Sequence, residues 1–121
     1  MKNKILLVDD EAEIRDLLCQ FLQRTGYIVT SVATAHEALT SVADGAPDLV
    51  ISDLQLEQSD GLEMIARIKE ITPGTPVLLL TSMLFDEKVV AETLSKRVTS
   101  YLPKTTPLAQ ILAEVKRLLG N

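Results

Sequence analysis

Four short apolar runs in this sequence each lead into polar residues that could form one chemical site. Asp9 and Asp10 follow the run 5–8, Asp53 follows 49–52, Thr81 follows 77–80 and Lys104 follows 101–103. If these runs are parallel strands, their carboxyl ends lie at one edge of one sheet, where open α/β sheets bind ligands. Three carboxylates in one place repel one another, so the cluster predicts a divalent cation with oxygen ligands, for which Mg²⁺ is well suited.

Each of these residues also has an ordinary structural interpretation. Asp10 is a suitable N-cap for a first helix, with Glu13 completing a capping box. Thr81 suits a turn, and Lys104 suits a solvated position. Asp53 is harder to explain, because an acidic residue at the end of an inner strand has no obvious structural use. A phosphoryl group on Asp53 would explain the set, since a hydroxyl can donate to its oxygens and an ammonium can pair with its charge.

The length and charge of the chain limit the classes of protein to which it can belong. Its 121 residues suit one domain, and its net charge of −5 argues against direct binding to nucleic acid. No apolar run approaches the roughly 20 residues of a membrane span, and the N-terminus lacks the long apolar segment of a signal peptide. We therefore expect a cytoplasmic protein that does not bind membranes. Cys19 is the only cysteine, so an internal disulfide cannot form.

Strand-like and helix-like segments alternate five times along the chain. Strands are predicted at about 4–8, 27–32, 48–52, 76–80 and 98–102, and helices at about 11–25, 35–44, 61–71, 86–96 and 107–119. Gly26 is suited to end the first helix, and Thr34 with Glu37 forms a capping box for the second. The helix at 86–96 has the thinnest apolar stripe, so moving this segment should cost less than moving the others.

The composition of the strands predicts their positions in the sheet. The runs at 5–8, 49–51 and 77–80 are continuously apolar, which is typical of strands covered on both faces. The strands at 27–32 and 98–102 contain Thr and Ser, as edge strands do. Three inner strands and two edges fit the order 2-1-3-4-5, which is a doubly wound, flavodoxin-like (βα)5 fold with right-handed crossovers. We expect residues 1–121 to form one such α/β domain, with no output domain in the chain.

With these residues in these places, the sequence resembles the receiver domain of two-component response regulators. The resemblance covers the whole chain. It rests on Asp9-Asp10, Asp53, Asp60-Gly61, Thr81-Ser82 and Tyr101-Leu102-Pro103-Lys104. Any one of these motifs is common, whereas the full set, in this order and on a five-fold βα pattern, is highly specific.

The resemblance implies a role for each matching residue. Asp53 would accept a phosphoryl group from a phosphohistidine on a sensor histidine kinase or phosphotransfer protein. The Mg²⁺ ligands would be Asp9, Asp10, Asp53 and the backbone carbonyl of Gln55, with Asp9 acting largely through water. Thr81 and Lys104 would bind the phosphoryl oxygens. The domain would catalyse only its own phosphorylation and dephosphorylation, so no enzyme activity on an external metabolite is expected.

The resemblance also implies a conformational switch. Tyr101 would turn inward as Thr81 moves towards the phosphoryl group. The surface formed by the segment 86–96, the fifth strand and the last helix would then present a different face to a partner protein or output domain. A homodimer through the same surface stays open as an alternative assembly.

Two departures and one apolar cluster distinguish this sequence within the resemblance. Lys104 is followed by Thr105 rather than by proline, and a cis bond there would cost roughly 2.5–4 kcal/mol, so we predict a trans bond. The stretch 54–59 lacks the usual proline, which predicts a looser loop. The apolar residues 83–85 (Met-Leu-Phe), directly after the Thr81-Ser82 pair, either pack beneath the following helix or contact a partner.

Three other functions compete with the receiver interpretation. A Mg²⁺-dependent phosphatase with an aspartyl nucleophile needs a second acid two residues later, where this chain has Gln55. A nucleotide- or flavin-binding module needs a glycine-rich phosphate loop, and no such loop follows a predicted strand. A degenerate receiver that only docks to partners is disfavoured by the intact set of site residues, although the Lys104-Thr105 departure leaves it open.

Overall fold

A computed structural model describes residues 3–53, 55–56, 59–81 and 98–120 of the protein. Within these ranges the strands and helices are β1 (Lys4–Val8), α1 (Ala12–Thr25), β2 (Ile28–Val32), α2 (Ala35–Asp44), β3 (Leu49–Ser52), β4 (Gln55–Leu56), β5 (Ser59–Asp60), α3 (Gly61–Ile71), β6 (Val77–Thr81), β7 (Ser100–Pro103) and α4 (Leu108–Leu119). The helix predicted at 86–96 and the apolar residues 83–85 lie outside the described residues, so both expectations stay predictions.

Five of the described strands form one parallel sheet in the order β2-β1-β3-β6-β7. Because β4 and β5 pair outside this sheet, the order is the predicted 2-1-3-4-5, and the flavodoxin-like (βα)5 expectation is confirmed. In the register of the sheet, Val8 lies opposite both Val32 and Ser52, and Thr81 lies opposite Pro103. The carboxyl ends of the strands therefore meet at one edge, as the sequence predicts.

The inner strands supply two separate hydrophobic cores because successive side chains point to opposite faces of the sheet. One core includes Leu6, Val8, Val50, Val77 and Leu79, packed with Ala38 and Val42 of α2 and Met64, Ile65 and Ile68 of α3. The other includes Ile5, Leu7, Leu49, Ile51, Leu78 and Leu80, packed with Leu18 and Leu22 of α1 and Ile111 and Val115 of α4. Each large buried side chain stabilises the fold by roughly 1.5–3 kcal/mol, so the sheet edge stands on a rigid base.

Residues at two helix ends act as the sequence predicts. Gly26 follows α1 in the left-handed conformation, with a φ of 114°, and its N–H donates to carbonyls at the end of the helix. Thr34 caps α2, because its Oγ1 accepts a hydrogen bond of 3.1 Å from the N–H of Glu37. The Glu37 side chain accepts a further 3.1 Å hydrogen bond from the Thr34 hydroxyl rather than from the Thr34 backbone N–H of a standard capping box.

Two connections at the carboxyl edge of the sheet bear on the site. The Lys104–Thr105 peptide bond is trans, as predicted, since the described residues contain no cis peptide bond. In the described part of the stretch 54–59, for which a looser loop is predicted, Gln55 pairs with Asp60 and Leu56 pairs with Ser59 in a short antiparallel ladder. Without a proline in this stretch, its backbone N–H groups are all available for such pairing.

Candidate functional site

A cluster of buried ion pairs lies at the carboxyl edge of the sheet. Asp9 follows β1, Asp53 follows β3, and Lys104 follows β7. The Lys104 Nζ lies 2.9 Å from Oδ2 of Asp9 and 2.9 Å from Oδ2 of Asp53. Because β6 separates β7 from β3, the long lysine side chain reaches across the position of β6 to meet both acids. The structure therefore brings three of the predicted site residues into direct contact.

The position of Asp9 is determined by three hydrogen bonds, to the end of β2 and to the start of α1. Its N–H donates to the carbonyl of Val32 at 3.1 Å, which ties it to the end of β2. Its Oδ1 accepts from the N–H of Glu11 at 2.8 Å, and its carbonyl accepts from Nη1 of Arg15 at 2.7 Å. These bonds hold the buried carboxylate of Asp9 at the start of α1, next to the Lys104 ammonium.

The start of α1 also corrects one structural interpretation of the acidic pair. Asp10 does not cap this helix, because the helix begins at Ala12 with Glu11 in the N-cap position and no side-chain capping bond. The carboxylate of Asp9, rather than that of Asp10, satisfies the N–H of Glu11. Asp10 is half-buried and free of the capping role, so its carboxylate is available to the site.

Four acidic residues at this edge can present oxygen atoms to one cation. Asp9, Asp10, Glu11 and Asp53 each offer a carboxylate oxygen, and these atoms lie within 4.8 Å of one another. Carboxylate oxygens are the hard ligands that Mg²⁺ prefers, and Mg²⁺ usually keeps several waters beside one or two such carboxylates. The chemistry of these donors fits the predicted Mg²⁺, with Lys104 as the resident positive charge.

The Lys104 ammonium contacts a third acid besides Asp9 and Asp53. Its side chain is only 5% exposed, and Nζ lies 2.6 Å from Oε1 of Glu11 as well as contacting Asp9 and Asp53. Burial alone lowers the pKa of Lys104, but the bonds to Glu11, Asp53 and Asp9 outweigh burial, so that pKa is raised. The group is therefore a permanent cation at neutral pH.

The pKa of Asp9 is also raised, but here burial outweighs the stabilising contacts. Burial disfavours its ionised form, and the nearby charge of Asp53 acts in the same direction. The N–H of Glu11 and the Lys104 ammonium lower that pKa without cancelling the effect of burial. One ammonium shared among three carboxylates leaves the pocket negative, which is the condition that favours a second cation.

The structure describes the remaining predicted site residues less fully. The backbone of Thr81 ends β6 at this edge, opposite Pro103, but its side chain lies outside the description. The backbone of Gln55 lies in β4, shortly after Asp53. Tyr101 lies in β7 with an exposed side chain, 43% of which is accessible. The placement of these residues agrees with the predicted site without testing their roles.

Two residues of the site were missed by the sequence argument. Glu11 contacts Lys104, and Arg15 donates to the carbonyl of Asp9. The third consecutive acid in Asp9-Asp10-Glu11 is a visible signal. However, its position at a helix start makes it look like an ordinary first-turn residue, so only the contact with Lys104 reveals it.

The fold and this edge define a doubly wound α/β domain in which an acidic pocket (Asp9, Asp10, Glu11 and Asp53) contains the ammonium of Lys104. The chain belongs to the response regulator receiver domain family, which matches residues 5–116. This membership confirms the resemblance, places the chain among proteins of two-component systems, and agrees with a role in phosphorylation-dependent signalling. Among the described residues, no helix is both long enough and apolar enough to cross a membrane.

Individual relatives support the same assignment. The chain is 33% identical over 118 residues to the DNA-binding transcriptional regulator NtrC of Azospirillum brasilense, covering 97% of this chain and 24% of that protein. It is 34% identical over 119 residues to the response regulator MprA of Mycolicibacterium vanbaalenii, covering 98% of this chain and 51% of that protein. The chain thus spans about half, or less, of the length of these curated relatives.

A solved structure supports the fold over nearly the whole chain. The crystal structure of a CheY-like response regulator receiver domain protein from Methanospirillum hungatei superposes with a TM-score of 0.92 at 28% identity. The match covers 99% of this chain and 95% of that one. The five-stranded order is therefore shared with a receiver domain of similar size.

Proposed function

We propose that this chain is a phosphorylation-dependent switch in which Asp53 accepts a phosphoryl group from a phosphohistidine on a sensor histidine kinase or phosphotransfer protein. The observation that carries this proposal is the Asp53 carboxylate, which ends the central strand β3, is only 4% exposed and lies 2.9 Å from the Lys104 ammonium. A buried acid beside a fixed cation is suited to accept a phosphoryl group, and the further acids around it can hold the metal ion that such a transfer uses.

A Mg²⁺ ion would be held by Asp9, Asp10, Asp53 and the backbone carbonyl of Gln55. When bound, the ion would neutralise charge on the transferring group and help to orient it. The protein's own part is to aim the acids: the hydrogen bonds of Asp9 hold its carboxylate in the pocket, and the strand register places Asp53 beside it. Mg²⁺ would relieve the excess negative charge that Lys104 alone leaves.

In the transfer itself, a carboxylate oxygen of Asp53 would form a bond to phosphorus while the bond from phosphorus to the histidine nitrogen breaks. The histidine nitrogen leaves with the electron pair of that bond, and the product is an acyl phosphate on Asp53. Thr81 would donate its hydroxyl to a phosphoryl oxygen, and the Lys104 ammonium would pair with another. Because the reaction would modify this protein itself, the protein would not act as an enzyme on an external metabolite.

The phosphoryl group would act as a switch because its bonds to Thr81 and Lys104 exist only in the active arrangement. Tyr101, whose side chain is exposed in the structure, would turn inward as Thr81 moves. The surface made by the segment 86–96, β7 and α4 would then meet a partner protein or output domain differently. A homodimer through this surface is a second assembly that the proposal allows.

The relatives support an output function beyond the residues of this chain. Both curated relatives are longer than this chain, and one is named a DNA-binding transcriptional regulator. We therefore infer that residues 1–121 act as a receiver domain whose output is a second domain or a separate partner protein. In either arrangement, the receiver itself is expected to work in the cytoplasm and to make no direct contact with nucleic acid.

The proposal is tested by amide NMR titration with beryllofluoride and Mg²⁺, which together mimic a phosphoryl-aspartate. We expect Mg²⁺-dependent shifts at Asp53, Thr81, Tyr101 and Lys104 in the wild type and their loss in Asp53→Asn. A wild type that gives no such shifts would overturn the phosphoryl switch. The chain would then be a degenerate receiver that acts by docking alone.

A further inference from the structure

We propose that Glu11 is a positioning residue that tethers Lys104 in the resting protein and releases it when a phosphoryl group arrives. This inference rests on the proposed roles of Asp53 and Lys104 and extends them to a residue outside the predicted set. Its basis is the contact between Oε1 of Glu11 and Nζ of Lys104, which at 2.6 Å is shorter than the 2.9 Å ion pairs to Asp9 and Asp53.

The Lys104 ammonium has a limited capacity to donate hydrogen bonds. A lysine ammonium has three N–H donors and no acceptor. In this structure three carboxylates surround it, those of Asp9, Glu11 and Asp53. All three donors are therefore engaged by the resting protein. A phosphoryl group on Asp53 takes the place of that carboxylate as one partner of Lys104, so a further phosphoryl oxygen can gain a hydrogen bond only if Asp9 or Glu11 gives up its own.

The exposure of Asp9 and Glu11 decides which of these two carboxylates gives way. The Asp9 side chain is 3% exposed, whereas the Glu11 side chain is 51% exposed. A buried carboxylate that loses its cation has no water to replace the lost interaction, and such a loss is strongly destabilising. An exposed carboxylate is solvated when it separates, so the same loss costs little. Release of Glu11 is therefore the least costly change.

The location of Glu11 also suits release. It is the N-cap residue of α1, and its side chain makes no capping bond to the helix. Its backbone stays anchored through the N–H bond to Asp9 when the carboxylate swings away. The side chain can thus leave Lys104 without moving the helix or the buried acids.

The tether predicts a definite effect on phosphoryl binding. A resting contact that must break lowers the apparent affinity of the competing ligand, in proportion to the fraction of protein in which the contact is already broken. Loss of the tether should therefore raise the affinity for beryllofluoride. An ion pair with one exposed partner corresponds to a change of about two- to fivefold.

The test compares Glu11→Gln with Glu13→Gln in the same chain. Glu11→Gln keeps the shape of the side chain and removes the charge that attracts Lys104. Glu13 is an exposed acid in the first turn of α1, and it is not among the described residues that form ion pairs with Lys104. Both variants remove one exposed negative charge at the start of α1, since Glu11 is the N-cap residue and Glu13 lies in the first turn.

Two measurements make the test specific to Lys104. The first is hydrogen exchange of the Lys104 ammonium in the ligand-free protein, followed by ¹⁵N NMR, which we expect to be faster in Glu11→Gln and unchanged in Glu13→Gln. The second is the affinity for beryllofluoride at saturating Mg²⁺, which we expect to rise about two- to fivefold above that of Glu13→Gln. Mg²⁺ affinity is measured for both variants as well, because Glu11 belongs to the group of acids that can present oxygen atoms to one cation.

Three results would overturn the tether. Identical ammonium exchange in the two variants would show that Glu11 does not hold Lys104. Faster exchange without a gain in beryllofluoride affinity would show that the contact does not compete with the phosphoryl group. A selective fall in Mg²⁺ affinity in Glu11→Gln would make Glu11 a metal ligand instead. If the wild type fails to bind beryllofluoride at all, the proposed function and the release step both fail. The ammonium exchange rates still test separately whether Glu11 holds Lys104 in the ligand-free protein.

Discussion

Asp9 and Lys104, which are 95 residues apart in the sequence, form a 2.9 Å ion pair between side chains that are almost completely buried. They follow β1 and β7, and these strands lie on either side of β3 and β6 in the sheet. The ion pair thus connects the ends of β1 and β7 across the two strands, β3 and β6, that lie between them. Its energetic role is asymmetric, because removing one partner leaves the other charge buried without compensation.

Replacing Lys104 with methionine should destabilise the protein in the absence of Mg²⁺. The variant keeps most of the buried side-chain volume but leaves Asp9 and Asp53 without their cation, and such a loss costs about 3 kcal/mol. Urea unfolding at neutral pH measures the change, and added Mg²⁺ should restore most of it. Lys116→Met is the matched control, because Lys116 is exposed on α4 and its replacement should change stability by less than about 0.5 kcal/mol. Equal effects of the two variants would show that the ion pairs contribute little.

Millimolar Mg²⁺ should raise the melting temperature of the wild type. An ion that binds only the folded state stabilises it by about 2.7 kcal/mol at 100 times its dissociation constant. Asp10→Asn should remove this increase, because Asp10 does not cap α1 and its carboxylate is one of the four that can bind the ion. Asp16→Asn, which changes an exposed acid on α1, should retain it. A melting temperature that responds to Mg²⁺ equally in both variants would place the metal elsewhere.

The raised pKa of Asp9 predicts a specific pH dependence of stability. Burial, the first cause of the shift, holds the folded pKa above the unfolded value of 3.8, so the native state binds more protons than the unfolded state in this window. The wild type should therefore lose stability relative to Asp9→Asn as pH rises from 3.8 through the raised pKa, with a constant difference above it. Urea unfolding of both proteins without Mg²⁺, from acidic to neutral pH, measures the difference. A difference that changes in the opposite direction would mean that Lys104 lowers the pKa of Asp9 overall.

The central strand should be far more sensitive to truncation than an exposed helix position. Ile51 in β3 is fully buried between α1 and α4, and Ile51→Ala should lower the free energy of unfolding by about 2–5 kcal/mol. Leu17→Ala on α1 is the matched comparison, because the Leu17 side chain is 56% exposed and its loss should cost less than about 0.5 kcal/mol. Chemical denaturation separates the two. A large cost at Leu17 would indicate that this side chain is covered in solution.

Much of the architecture was predictable because the relevant signals are local. Continuous apolar runs mark strands that are covered on both faces, so β1, β3 and β6 were expected inside the sheet and β2 and β7 at its edges, as they are. Gly26 and the pair Thr34 and Glu37 mark helix ends through bonds within a few residues. Strand order alone then predicts that Asp9, Asp53 and Lys104 share one edge of the sheet.

The sequence by itself therefore determined which strands are covered, where α1 ends and α2 begins, and which polar residues share an edge of the sheet. Only the tertiary structure decided that Lys104 reaches past β6 to three acids, that Asp9 rather than Asp10 satisfies the start of α1, and that Gln55 pairs with Asp60. The physical reason is range. Periodicity and capping depend on neighbours within one or two turns, whereas an ion pair between distant residues depends on how strands stack and which side chains lose their water.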